Sequence, residues 1–209
     1  MAKSYSNNNV LSARFEISPF EGAWLKHLGR PALRGIWFVY GKSGSGKTTY
    51  CLKLAKYLTQ FVKKVAYNSL EQGLSPAMQM AWRRAGLEEC GRRIMLIDGE
   101  QLPELSKRLS KKHSPDIVFV DSVMYLEDSS ASDIIALRHR HPNKLFGQER
   151  NGDAYNTKQL KIKHDADIKI RVVGGVARCE TRYSTEDGHG GADFVAYEQR
   201  KKDFNADLE

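Results

Sequence analysis

Apolar residues along this chain of 209 fall into short blocks set apart by polar turns, and the blocks are of two kinds. In the first they are short and uninterrupted, Ile36 to Tyr40, Val65 to Tyr67, Ile94 to Ile97 and Ile117 to Val120, within the segments Gly35-Ile36-Trp37-Phe38-Val39-Tyr40, Lys63 to Leu70, Arg92 to Asp98 and Pro115 to Ser122. Short continuous runs bounded by turn residues predict strands buried on both faces. In the second they recur at helical spacing: Thr49 to Leu58, Ser75 to Leu87 with proline in its first turn, Pro103 to Lys112, and Ser132 to Arg138 with Ser132 near the N-cap. The two kinds alternate, which predicts a doubly wound α/β fold with a mostly parallel central sheet. Nearer the C-terminus, Ala166 to Val172 and Val176 to Tyr183 alternate polar and apolar around Gly174-Gly175, the pattern of an antiparallel hairpin, and Asp193 to Glu198 reads as a last strand.

The remaining segments are less regular. Phe15, Ile17, Phe20, Trp24, Leu25 and Leu28 predict a lead-in element packed against the sheet, and Met78, Met80, Trp82 and Ala85 predict a buried helix face. Asn143-Lys144-Leu145-Phe146 begins another core strand with only two apolar residues before Gly147-Gln148: either that strand is truncated or residues are missing there. Glu149 to Lys163 has turn composition and positive charge and reads as a mobile basic loop. The expected organisation is a flexible tail over 1–14, one domain over 15–198 and a charged tail over 199–209.

The chemistry begins at Gly41-Lys42-Ser43-Gly44-Ser45-Gly46-Lys47-Thr48, which fits the phosphate-binding pattern G-x-x-x-x-G-K-[ST] without a mismatch. It lies between a predicted strand and a predicted helix, the order the motif needs. Glycines let the loop turn tightly and bring backbone N–H groups up to phosphate oxygens. The anion then sits at a helix N-terminus, with Thr49 in the first turn. Lys47 is expected to reach the β- and γ-phosphates and the Thr48 hydroxyl to ligate Mg²⁺.

Two carboxylates complete the pattern. The run Ile117-Val118-Phe119-Val120 ends in Asp121, as a Walker B strand does, so Lys47 and Asp121 are expected to converge on a triphosphate from two adjacent strand ends, with Asp121 holding Mg²⁺. Glu71 follows a core strand directly and lies next to Gln72-Gly73, where an α/β sheet gathers ligand contacts; it is the candidate for orienting or deprotonating a water. A solvated turn glutamate is the plainer alternative.

Composition adds a bias and some exclusions. A net charge of +8 favours anionic partners, nucleic acid among them, although scattered clusters such as Arg83-Arg84 and Lys111-Lys112-His113 are also what solvated faces carry. Cys51, Cys90 and Cys179 have neither pairing number nor metal-ligand spacing, so reduced, mostly buried thiols and a cytoplasmic location are expected. No apolar run is long enough to cross a bilayer, and no membrane partner is expected.

Together these features resemble the RecA-like ATPase superfamily, and within it the core domain shared by RadA-type recombination proteins and DnaB-type helicases. The resemblance runs from Phe20 to Glu198. It is carried by the P-loop at 41–48, Leu70-Glu71-Gln72-Gly73, Arg83-Arg84-Ala85-Gly86-Leu87, Val118 to Ser122, Gln148, and His164-Asp165-Ala166-Asp167. It implies a three-layer RecA-like P-loop NTPase with a mostly parallel central sheet and a C-terminal antiparallel hairpin extension. In that family the glutamate matched by Glu71 is the catalytic base, and the glutamine matched by Gln148 senses the γ-phosphate and couples to the nucleic-acid loop after it, here Glu149 to Gln159. Arg150, Lys158, Lys161 and Lys163 are then candidate DNA contacts.

Thr181-Arg182-Tyr183 is similar to a family Lys-x-Arg-Phe segment that reaches a neighbouring subunit's nucleotide, without its lysine; Arg182, with Arg178 second, is the candidate finger in trans. Family members complete their sites between subunits, which implies a homo-oligomeric ring or filament. The expected activity is Mg²⁺-dependent ATP hydrolysis in DNA transactions such as recombination, replication or mobile-element maintenance, on single- or double-stranded DNA. The alternatives are a nucleotide-dependent regulatory or assembly switch that binds a protein partner with little turnover, and a small-molecule kinase, for which no second-substrate pocket or lid is legible.

Overall fold

The computed structural model describes residues 4–126, 129–151 and 157–197. The strands are β1 (Gly35–Gly41), β2 (Val65–Ser69), β3 (Ile94–Asp98), β4 (Ile117–Asp121), β5 (Leu145–Asn151), β6 (Ile168–Val173), β7 (Val176–Thr181) and β8 (Phe194–Val195). The helices are α1 (Asn7–Ser12), α2 (Gly22–Leu28), α3 (Lys47–Leu58), α4 (Pro76–Arg84), α5 (Leu102–Leu109), α6 (Ala131–Arg140) and α7 (Thr157–Asp165). All eight strands join one sheet in the order β3-β2-β4-β5-β1-β6-β7-β8. Pairing is parallel from β3 to β6, and β6-β7-β8 continue antiparallel.

The continuous apolar runs are explained by burial on two faces. Along β1, Trp37 and Val39 pack with Tyr50, Leu54 and Leu58 of α3 and Met78 of α4. Ile36, Phe38 and Tyr40 pack on the other side with Leu105 of α5, Ile134 and Leu137 of α6, and Ile162 of α7. The result is a helix–sheet–helix sandwich in which all seven β1 residues are buried. Each fully buried large side chain contributes about 1.5–3 kcal/mol relative to exposure, so β1 anchors both layers.

The structure departs from several sequence expectations. The short apolar start at Leu145-Phe146 is not a truncated strand: β5 runs seven residues, pairing with β1 on one side and β4 on the other. Strand membership here is set by two backbone ladders rather than by apolar side chains. Gly147 is part of the reason, since a β-carbon there would lie 2.5 Å from the Phe119 ring. β5 also separates β1 from β4, so the P-loop and Asp121 do not stand on adjacent strand ends. One intervening strand puts those ends roughly 10 Å apart.

The basic stretch Glu149 to Lys163 is not one loop, because its start completes β5 and its end lies in α7. Helix α7 buries Ile162 against the sheet, which its many lysines obscure in the sequence. The lead-in element is packed only in part: Phe20 and Leu28 are buried and Trp24 and Leu25 half-buried, but Phe15 and Ile17 are exposed. Met80 of α4 is exposed too, since four residues before Arg84 it lies on the helix's outer side. Helix α6 starts one residue earlier than expected, because Ser130 and Asp133 form a reciprocal capping box. The last strand shrinks to Phe194–Val195. Helix α1 buries none of its residues. The tail at 199–209 lies outside the described residues.

Candidate nucleotide site

The carboxyl ends of β1, β2, β3, β4 and β5 lie along one edge of the sheet, and the residues singled out for chemistry gather there. Lys47 begins α3 immediately after the glycine-rich turn and is only 3% exposed. Its Nζ donates to the Lys42 carbonyl at 2.9 Å, and the Ser45 N–H donates to the same carbonyl at 3.2 Å. The loop is thus wound around its own lysine. Gly46 holds φ +100°, and a β-carbon on it would lie 2.2 Å from the Tyr197 ring. The first N–H groups of α3 have no intrahelical acceptor and carry the positive end of the helix dipole, which is an anion-binding arrangement.

Asp121 is the terminal residue of β4 and is 1% exposed. Its Oδ2 accepts a 2.8 Å hydrogen bond from the hydroxyl of Tyr67 on β2. Its Oδ1 is buried and has no hydrogen-bond partner among the described residues. Burial pushes the carboxyl up to about 6; the Tyr67 bond opposes this, the negative charge of Glu71 adds to it, and the Lys47 ammonium opposes it. That influence places Lys47, Glu71 and Asp121 in one electrostatic neighbourhood despite the strand between β1 and β4.

Glu71 is exposed and sits on a pinned turn. The N–H groups of Leu70 and Glu71 both donate to the Asp121 carbonyl, the latter at 3.2 Å; the Gly73 N–H donates to Ser69 Oγ at 3.1 Å, and the Leu74 N–H to Asp98 Oδ1 at 3.1 Å. The backbone of Glu71 is therefore held at the end of β4, with hydrogen bonds on both sides of it in the chain. Gln148 lies on β5 in register with Phe38 of β1 and Val120 of β4, so its backbone runs between the two motif strands. The side chains of Gln148, Arg150 and Lys158 lie outside the described residues.

The other singled-out residues are placed as follows. Thr48 and Thr49 are in the first turn of α3, half-buried; Lys42, Ser43 and Gly44 are exposed. Arg178 pairs with Asp193 at 3.5 Å and lies in register with Arg171, itself level with Tyr40 near the P-loop end of β1, whereas Arg182 pairs with Asp167 at 3.4 Å beside the start of β1, at the opposite edge of the sheet from the P-loop. Lys161 is exposed on α7, and Lys163 lies with its Nζ 4.4 Å from the centroid of the Tyr40 ring. Tyr40 immediately precedes the P-loop, so α7 is tied to the end of β1.

Two residues near the site escape sequence reasoning. Tyr67 is a phenol in a fully buried strand, and a buried hydroxyl needs a partner, but nothing in the sequence says that the partner is Asp121. Tyr197 closes the P-loop from the hairpin side. Its hydroxyl donates to the Gly44 carbonyl at 3.2 Å, the Gly175 N–H donates to the Ser45 carbonyl at 2.9 Å, and the Ala196 N–H donates to the Gly175 carbonyl at 2.8 Å. The tip of the hairpin and residue 197 thereby brace the phosphate loop, a contact across more than a hundred residues that carries no local signal.

The residues fit a nucleoside triphosphate with a divalent cation. The fit rests on the buried Lys47 ammonium, the first-turn amides of α3, and the orphaned Oδ1 of Asp121. Mg²⁺ favours a carboxylate with a phosphate oxygen and few other protein ligands, which Thr48 and Asp121 match in kind. Among the described residues there is no cluster of three or more His, Cys, Asp or Glu side chains able to hold a metal by itself. No described helix is long and apolar enough to cross a membrane.

No family sequence model matches the chain, and no curated protein matches it by sequence. Solved structures do match. The flagellar accessory protein FlaH from Methanocaldococcus jannaschii aligns at 17% identity with a TM-score of 0.52, covering 76% of this chain and 82% of FlaH. The ATPase domain of a helicase aligns at 14% identity with a TM-score of 0.54, covering 78% of this chain and 81% of that domain. Likeness at this identity speaks for architecture alone: the chain has a RecA-like α/β fold, mostly parallel with a C-terminal antiparallel hairpin.

Proposed function

We propose that the protein binds ATP with Mg²⁺ at the amino end of α3 and hydrolyses it. One observation carries the reading: a buried lysine wound into a glycine loop and a buried aspartate with an unsatisfied oxygen stand at the same edge of the sheet. In this reading the first-turn amides of α3 and Lys47 hold the β- and γ-phosphates, Thr48 and Asp121 hold the cation, and Lys47 offsets the charge that develops as the γ-phosphoryl group leaves. Mg²⁺, when bound, supplies neutralisation of phosphate charge. Glu71, carried on its pinned turn, orients a water and takes its proton. In the same reading Gln148, whose backbone runs on the strand between the two motifs, reports the state of the γ-phosphate to the residues that follow it.

Phosphate release from ATP tests this. Glu71→Gln is expected to lower turnover by about 10²- to 10⁴-fold while nucleotide binding persists. Equal turnover in the wild type and Glu71→Gln would remove Glu71 from the chemistry.

The reading extends to DNA as the anionic partner, supported by the net charge of +8 and by the lysines of α7, of which Lys161 is exposed. Arg150, Lys158, Lys161 and Lys163 are the proposed contacts, Arg178 and Arg182 the proposed trans fingers, and a homo-oligomer the working form. A second reading, the nucleotide-controlled assembly switch, is favoured by the name of one structural neighbour, an accessory protein of a flagellum. Slow turnover that DNA leaves unchanged would select it.

A further inference from the structure

We infer that Tyr67 is a positioning residue for the divalent-cation site: its hydroxyl fixes Oδ2 of Asp121 and so assigns Oδ1 to the cation. The inference rests on the nucleotide-site reading above and adds to it a residue outside the P-loop and Walker motifs. Tyr67 lies in the middle of β2, next to β4 in the sheet, and is fully buried. Its ring stacks on Phe119, with centroids 6.1 Å apart and planes 19° apart, and meets Trp82 edge-on at 6.5 Å. Phe119 in turn fills the space beside Gly147 of β5 that a β-carbon would occupy. Three strands and α4 therefore fix where the hydroxyl stands.

The consequence is an asymmetric carboxylate. A buried carboxylate has two oxygens to satisfy, and leaving one without a donor is costly. Here the hydroxyl satisfies Oδ2 at 2.8 Å, while Oδ1 has no hydrogen-bond partner among the described residues. An outer partner of this kind sets the orientation of a ligating group, and losing it typically weakens metal affinity by about 10- to 100-fold. A purely structural hydroxyl would predict a loss of folding stability with no change in cation affinity.

The test is Mn²⁺ binding in the presence of ADP, read from the electron paramagnetic resonance signal of the unbound ion. Tyr67→Phe keeps the ring and removes the hydroxyl; it is expected to weaken Mn²⁺ about tenfold and to leave metal-free ADP binding unchanged. Asp121→Asn is the reference and is expected to lose Mn²⁺ further. If Tyr67→Phe binds Mn²⁺ like the wild type while Asp121→Asn does not, the inference fails and the site reading stands. If neither variant loses affinity, the cation-site reading itself fails. Should Tyr67→Phe not fold, Phe119→Leu decides: it keeps the hydroxyl and removes the ring that holds it. Weakened Mn²⁺ binding there supports the inference, and unchanged binding overturns it.

Discussion

A carboxylate that is almost wholly buried, as Asp121 is, imposes a cost that bound cation relieves. Its proton affinity in the folded chain, about 6, stands above the value of about 3.9 expected when unfolded, so the folded state holds the proton more tightly. Stability from this group is complete below about pH 4 and is lost as pH rises through 6, by about 3 kcal/mol in all. In metal-free buffer Asp121→Asn is therefore expected to melt higher than the wild type at pH 7.5, with the gap closing toward pH 4. A variant no more stable than the wild type at pH 7.5 would contradict the burial argument. The residues of this site were unevenly legible. Lys47, Thr48, Asp121 and Glu71 announce themselves by spacing and by position after a strand, whereas Tyr67 and Tyr197 act through contacts 54 and 153 residues away in sequence.

Elements tell a similar story at larger scale. β1 and β4 were readable because burial on both faces demands continuous apolar sequence. β5 was not, because Gly147-Gln148-Glu149-Arg150-Asn151 joins the sheet through backbone bonds to β1, and its glycine answers to the Phe119 ring rather than to any local rule. Gly147→Ala is expected to cost about 1–3 kcal/mol in urea denaturation, the usual range for overpacking. A loss below about 0.5 kcal/mol would mean that Phe119 can move aside and that the aromatic stack under Asp121 is softer than described. Helix α7 was hidden by its lysines, and the hairpin, visible from alternation around Gly174-Gly175, acquired a role that alternation cannot convey. Its tip bonds to the P-loop through Gly175 and Ser45. Tyr197→Ala is accordingly expected to speed amide exchange at Gly44 to Gly46 while leaving β1 protected; unchanged exchange would show that the brace is passive.

For the molecule as a whole, the sheet keeps the P-loop and Asp121 on one edge and its antiparallel extension on one flank, where the hairpin tip and Tyr197 bond to the P-loop. Binding to single-stranded DNA, if phosphate contacts carry it, must weaken steeply with salt, and Lys161→Glu is expected to weaken it further at low salt. Binding that is absent at low salt would turn the account to the assembly-switch reading. Beneath both readings lies the claim that a triphosphate is held at the start of α3. Equilibrium titration with a fluorescent ATP analogue and Mg²⁺ tests it most directly: the account predicts saturable binding by the wild type and at least about a hundredfold weakening in Lys47→Ala, the scale of losing a close charge–phosphate contact. Equal affinity in the two proteins would contradict it.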